Sequence, residues 1–269
     1  MADSSVPTTA DNQRGADIAR QAAVLAALAA TLTVNTLATT LPLNGQSTAE
    51  LSARFPIKIT PPGYVFGIWG LIYSGLLGYG IYQALPAQRE NPRLRRVGWP
   101  FVLSCVANIG WIFLWHYNRP RLSLGAMFGL LLALITVNTR LGKLLQGPLG
   151  EKLLAKLPFS VYLGWVSVAT LVNITVVLYD IGWAGMEIDE DIWTAALLGT
   201  GTAIGAGMSV LRGDVAFPLV LAWAFRGIAE KQADSAIIAP AAQAATAAAA
   251  LSAVAGVGVW IAKGAKLGE

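Results

Sequence analysis

This chain of 269 residues has one histidine, His116, and one cysteine, Cys105. A lone cysteine excludes an intrachain disulfide and a cysteine metal site. With one histidine there is also no His/Cys metal cluster and no Ser-His-Asp constellation. Charge is scarce too: 13% of residues are charged, against roughly 25% in an ordinary soluble domain. Carboxylates hardly enter the apolar runs. Asp180 and Asp214 stand at the ends of two of them and read as interfacial. Proton-coupled transport usually needs a buried carboxylate or histidine. No inverted repeat is visible either, which counts against a repeat-built secondary transporter. No basic stripe with interleaved aromatics is present, so nucleic acid is not an expected partner.

Apolar length is what the chain has in quantity. Hydrophobic residues make up 55% and the mean hydropathy is +0.57. They come in runs of about 16 to 25 residues, enough for a helix to cross roughly 30 Å of hydrocarbon. The fold class is therefore an all-α membrane protein, a polytopic helical bundle with about eight transmembrane helices. The spans read as 18–41, 64–85, 98–117, 121–141, 158–181, 191–211, 214–229 and 235–262. The seventh is short and carries Arg226. Residues 1–17 are polar and are expected to be a disordered tail. The first apolar run is longer than a signal-peptide core and continues through Leu37 and Leu41, so it is expected to remain in the mature chain. The only acidic loop, with Glu187, Asp189, Glu190 and Asp191, divides a tryptophan- and asparagine-rich part, 18–181, from an alanine- and glycine-rich extension, 182–269. Alternate segments carry 13 and 6 Lys plus Arg. That excess puts both termini in the cytoplasm, so the net charge of +4 reflects topology. Ser47-Thr48-Ala49-Glu50 has capping-box spacing. A short surface helix over 48–53, lying over a pocket mouth, and a solvated connector both remain open there.

Three spans present aromatic faces. Phe66, Trp69 and Tyr73 share one side of a helix that begins after Pro61-Pro62, where a proline pair suits a first turn. Gly67, Gly70, Ser74 and Gly78 form a neighbouring small face, suited to close helix approach in lipid. Asn108, Trp111 and Trp115 share a second face, and Trp165, Ala169 and Asn173 a third. On helix statistics alone the aromatic face of span 2 reads as packing. An asparagine inside a membrane helix must find a partner, so Asn108 and Asn173 should point into the bundle. Converging, the three faces would line a cavity with flat apolar walls and a few polar points, the make-up of a site for a large apolar ligand. Asn35 and Asn138 read as interhelical hydrogen-bonding positions. His116, beside Trp115 and Tyr117, reads as an interfacial belt residue. Arg226 reads as a snorkelling side chain.

These stripes resemble the signature segments of the TspO/MBR family, the tryptophan-rich sensory or translocator proteins. Residues 61–83 resemble its second-helix motif. Asn108-Ile109-Gly110-Trp111 with Phe113 resembles the third-helix segment, and Tyr162-Leu163-Gly164-Trp165 through Asn173 the fifth. The likeness covers about residues 18–181. Tyr64 stands where the family often has Trp, Ile68 where it often has Pro, and Val161 replaces the Pro before the fifth-helix Tyr. The three later spans have no counterpart in five-helix members. The resemblance implies a five-helix bundle, often a homodimer, with a pocket under the first inter-helix loop. It also implies binding of porphyrins or other flat hydrophobic molecules. By motif, Tyr64, Phe66, Trp69, Asn108, Trp111, Trp165, Ala169 and Asn173 are expected at or beside that pocket.

The expected function is a binding or regulatory protein of the bacterial inner membrane for a tetrapyrrole-like ligand. No cofactor is required; a bound porphyrin, haem-like tetrapyrrole or lipid is the expected occupant. The expected partners are the bilayer, that ligand, and a second copy or a membrane complex. The alternatives are an accessory subunit, docking through the small-residue seams of span 2 and of Gly201–Gly205, and a transporter of a hydrophobic small molecule. No residue set demands an enzyme.

Overall fold

A computed structural model describes residues 9–41, 43–46, 50–51, 54–183 and 188–265. Among them are eight long helices and no strand. They are α1 (Thr9–Thr40), α2 (Ile68–Ala84), α3 (Pro92–His116), α4 (Pro120–Leu141), α5 (Leu157–Asp180), α6 (Glu190–Arg212), α7 (Ala216–Lys231) and α8 (Ile238–Ala265). A 3₁₀ turn, Gly63–Gly67, leads into α2, and a π-helical turn, Lys152–Lys156, leads into α5. The sequence sets several of the ends. Pro92 and Pro120 occupy first turns, Asn91 and Asp189 cap α3 and α6 with their side chains, and left-handed Gly213 closes α6.

The first five helices close a circuit. α1 packs on α2 and α3, α3 on α4, α4 on α5, and α5 back on α2. Helices α6, α7 and α8 pack on one another, and α7 seats this second group on α5. At that seat a Cβ on Gly164 would lie 3.1 Å from Val220 and 3.2 Å from the Phe217 carbonyl, so the two helices approach more closely than a side chain there would comfortably allow.

Among the described residues, seven helices are long and apolar enough to cross a membrane. The exception is α7, with 16 residues. Its ends nevertheless reach opposite ends of the bundle. Asp214, just before it, bonds Ser160 at the start of α5, while Lys231 at its end donates to the Thr60 carbonyl. A helix of that length rises about 24 Å, and neighbours cover most of its surface. α8 therefore returns toward the end at which α1 begins.

One expectation is corrected. Residues 9–17 are not a tail; they form the first turns of α1, and residues 1–8 lie outside the described set. Asp17 accepts from Arg95 Nε at 2.9 Å, and Arg20 donates to the Arg89 carbonyl at 2.9 Å. These partners on and before α3 let polar residues enter the bundle buried. Asp214, at one end of the bundle, is 2% exposed. The Ser160 hydroxyl and the N–H groups of Ala216 and Phe217 satisfy its carboxylate, which caps α7. The short helix expected over 48–53 falls largely outside the described residues; Glu50 and Leu51 are helical.

Candidate functional site

The proline pair and the 3₁₀ turn deliver Phe66 just ahead of α2, with its ring edge-on to Trp165 of α5 at 5.4 Å. Trp69, one turn on, lies 6.3 Å from Trp165 and 5.9 Å from Tyr162, both near edge-on, and stacks on Tyr73 at 5.2 Å. Beside these rings runs a chain of buried polar groups. Asn108 Nδ2 donates to the Tyr162 hydroxyl at 3.1 Å, and Asn35 Nδ2 donates to Asn108 Oδ1 at 2.7 Å. The chain ties α1, α3 and α5 together. Asn108 is wholly buried, and at that depth an amide without partners would cost several kcal/mol.

A second aromatic group sits toward the end of the bundle. Trp111 and Trp115 stack at 6.2 Å, and Phe55 lies 5.8 Å from Trp115 and edge-on to Tyr179 at 6.1 Å. A cavity of about 250 Å³ opens beside it, lined by Leu51, Arg54, Phe55, Trp115, Asn118, Pro120 and Asp180. A larger apolar groove of about 450 Å³ runs between α2, α5 and α7, with Leu71, Val161, Leu219 and Trp223 among its walls.

Of the residues expected at the pocket, Phe66, Trp69, Asn108 and Trp165 form one connected cluster. Tyr64 turns away from it: its ring lies edge-on to Trp223 at 5.6 Å and its hydroxyl donates to Glu230. Trp111 belongs to the second group. Asn173 accepts from Ser123 of α4 at 3.4 Å, and Ala169 packs half-buried against the core. None of the eight lines either cavity. His116, expected at an interfacial belt, is fully buried, and its carbonyl accepts from Asn44 at 3.0 Å. Arg226 is exposed and pairs with Glu230 at 3.0 Å. Among the described residues, no group of three His, Cys, Asp or Glu is placed to hold a metal.

A family model described as TSPO-like protein matches residues 21–259. The chain belongs to the TSPO-like family. The match does not stop at the end of α5; it runs through α6 and α7 and ends inside α8, so the C-terminal helices lie within the family pattern. No curated protein and no solved structure matches the chain.

In this TSPO-like protein the sequence pattern alone does not single out Tyr162 as the link between the rings and the amides. It stands three residues before Trp165, on the same helical face, so the spacing that marks Trp165 also carries it. The charge on the segment before α2 is a second feature that the pattern leaves unmarked. Hydrogen bonding to Asp191 holds the Lys58 ammonium above its usual pKa, whereas burial pulls that of Lys231 down.

Proposed function

We propose that this membrane protein binds and senses a flat, mainly apolar ligand such as a porphyrin or another tetrapyrrole, at the Phe66/Trp69/Trp165 cluster. It would do so in a bacterial inner membrane with both termini cytoplasmic. The observation that carries the reading is the meeting of three rings, from α2 and the turn before it and from α5, beside the hydrogen-bonded Asn35–Asn108–Tyr162 chain. The rings meet edge to face. Rotating them would exchange those contacts for stacking on an inserted planar ligand, and each aromatic pair is worth about 0.5–1.5 kcal/mol beyond area burial. The amide chain supplies hydrogen-bonding groups at the edge of such a ligand without adding charge. Titrating the purified protein with protoporphyrin and following tryptophan quenching tests this. Trp69→Ala and Trp165→Ala should each weaken binding roughly tenfold, the equivalent of about 1.4 kcal/mol. Unchanged affinity in both variants would remove the cluster as the site.

A second reading, a subunit docking against another membrane protein or a second copy, draws on one observation. Cβ atoms added at Gly67 and Gly70 would meet nothing within 4 Å, so the first turns of the small face are open, although Leu154 covers Gly78. The other candidate seam, Gly201–Gly205, does not favour it, because α7 of the same chain occupies that seam.

A further inference from the structure

Backbone that is neither helix nor strand must find its hydrogen bonds elsewhere. Residues 54–66, which lead from the first loop into the ring cluster, find several of theirs on the C-terminal helices. The Lys58 ammonium pairs with Asp191 of α6, and the Lys58 N–H donates to Glu190 Oε1 at 3.1 Å. Ser235, in the α7–α8 turn, donates to the other Asp191 oxygen at 2.6 Å. Three donors on and just beyond α7 take successive carbonyls of the segment. Gln232 Nε2 reaches that of Lys58 at 2.9 Å, Lys231 Nζ that of Thr60 at 3.0 Å, and Trp223 Nε1 that of Val65 at 3.0 Å. Packing follows the same line. A Cβ on Gly227 would fall 2.4 Å from Val65 and 3.1 Å from Pro62, so the segment lies directly against α7. Its other end is held by the five-helix circuit, where Arg54 donates to Asn118 at 2.7 Å and Phe55 packs on Trp115.

These bonds are more than the seat between the two groups of helices. That seat is the α5–α7 contact at Gly164, two turns before Gly227 along α7, and the nearest atoms to Gly164 there belong to Phe217 and Val220, not to the segment. Val65 is the neighbour of Phe66, so the carbonyl that Trp223 holds fixes the backbone from which the Phe66 ring reaches Trp165. We infer that α6–α8 act as a latch. They hold residues 58–65 against the bundle, keep Phe66 on Trp165, and so set how readily the ring cluster opens to a planar ligand. The coupling to ligand rests on the function proposed above; the latch itself does not.

Full-length protein in nanodiscs, probed by amide hydrogen exchange and by stopped-flow porphyrin quenching, separates the two. Asp191→Asn removes the charge on Lys58's partner, and Trp223→Phe keeps the ring against Tyr64 while removing the donor. Together they should speed exchange at residues 57–66 roughly fivefold or more, as loss of about 1 kcal/mol of local stability would. Exchange within α3 and α4 should stay unchanged. Porphyrin association and dissociation should both accelerate by a similar factor, with a smaller change in Kd. The exchanged pair K58D/D191K should return 57–66 to slow exchange where D191K alone does not. Unchanged exchange at 57–66 would overturn the latch, as would acceleration spread equally through α6–α8, which would mean general destabilisation. Faster exchange with unaltered porphyrin rates would overturn the coupling to the site. If wild-type protein does not bind porphyrin at all, the functional reading fails, and exchange at 57–66 alone decides the latch.

Discussion

In the α1–α5 circuit, rings and amides join neighbouring helices alongside glycine contacts; in α6–α8 the close approaches are at glycines. Tyr79 of α2, Phe101 of α3 and Phe159 of α5 meet in a triad with centroids 5.2, 4.8 and 5.5 Å apart, and the Asn35–Asn108–Tyr162 chain ties the same circuit. In the second group a Cβ on Gly201 would come within 2.8 Å of Phe225, and one on Gly205 within 2.7 Å of Leu221. Both designs answer one condition. Lipid is as apolar as leucine, so helices associate by van der Waals fit and hydrogen bonds rather than by escape from water. They differ in what they leave adjustable. A ring can turn about its side-chain bonds to admit a ligand; a backbone in contact has no such freedom. On the function proposed above, the circuit is where a site would open, held against the small-residue group.

The sharpest way to break that contrast is to fill a seam. A Cβ at Gly256 of α8 would lie 2.0 Å from Ser209 Oγ and 2.9 Å from the Ser209 carbonyl oxygen on α6. The hydroxyl can rotate away, but the carbonyl cannot. Gly256→Val should force α8 off α6 and destabilise the protein by about 1–3 kcal/mol, the usual range for overpacking. Thermal unfolding in detergent should show a larger Tm loss than Asn108→Ala or Gly70→Ala produces. A variant as stable as wild type would mean that α8 does not sit on α6 at this register.

The matching substitution in the circuit removes a polar link. Asn108→Ala would leave the Tyr162 hydroxyl and the Asn35 amide short of a partner. The expected loss is about 1–2 kcal/mol, since interhelical hydrogen bonds in membranes are worth less than their burial suggests. In a double-mutant cycle, Asn35→Ala should cost less in the Asn108→Ala background than alone. Additivity would show that the two amides do not share a bond.

Helical periodicity explains how far the sequence can be read. It tells which residues share a face, and so it brings Phe66, Trp69, Asn108 and Trp165 forward. It does not tell which helix each face meets. The motif groups Tyr64 with the pocket, yet the 3₁₀ turn rotates it toward Trp223 and Glu230 on α7, more than 150 positions away. Asp17 reads as part of a tail because its partner, Arg95, lies far along the chain on α3, as does the Arg89 carbonyl that Arg20 reaches. The seven long apolar helices are visible because hydrocarbon thickness is a length that composition records directly. The hold of α6–α8 on residues 58–65 is not, because it is made of donors meeting backbone carbonyls, and a carbonyl leaves no mark on the sequence.

The smallest expected effect makes the finest distinction. The spacing of Gly67, Gly70, Ser74 and Gly78 marks one face of α2 for close helix contact, but within this chain the closest contacts of α2 come from other glycines. A Cβ at Gly75 would be 3.0 Å from Pro158 and one at Gly80 would be 2.7 Å from Leu28, while Gly70 faces open space. Gly70→Ala should therefore leave the isolated protein unchanged or raise its stability by up to about 1 kcal/mol, the helix-propensity difference between the two residues. Sedimentation in detergent, run beside the melting curve, would show whether assembly alters. If Gly70→Ala instead lowers Tm and dissociates a larger species, the face is covered in the membrane by a second copy or another protein. The ring circuit would then carry, on its outer side, the same kind of seam that builds α6–α8.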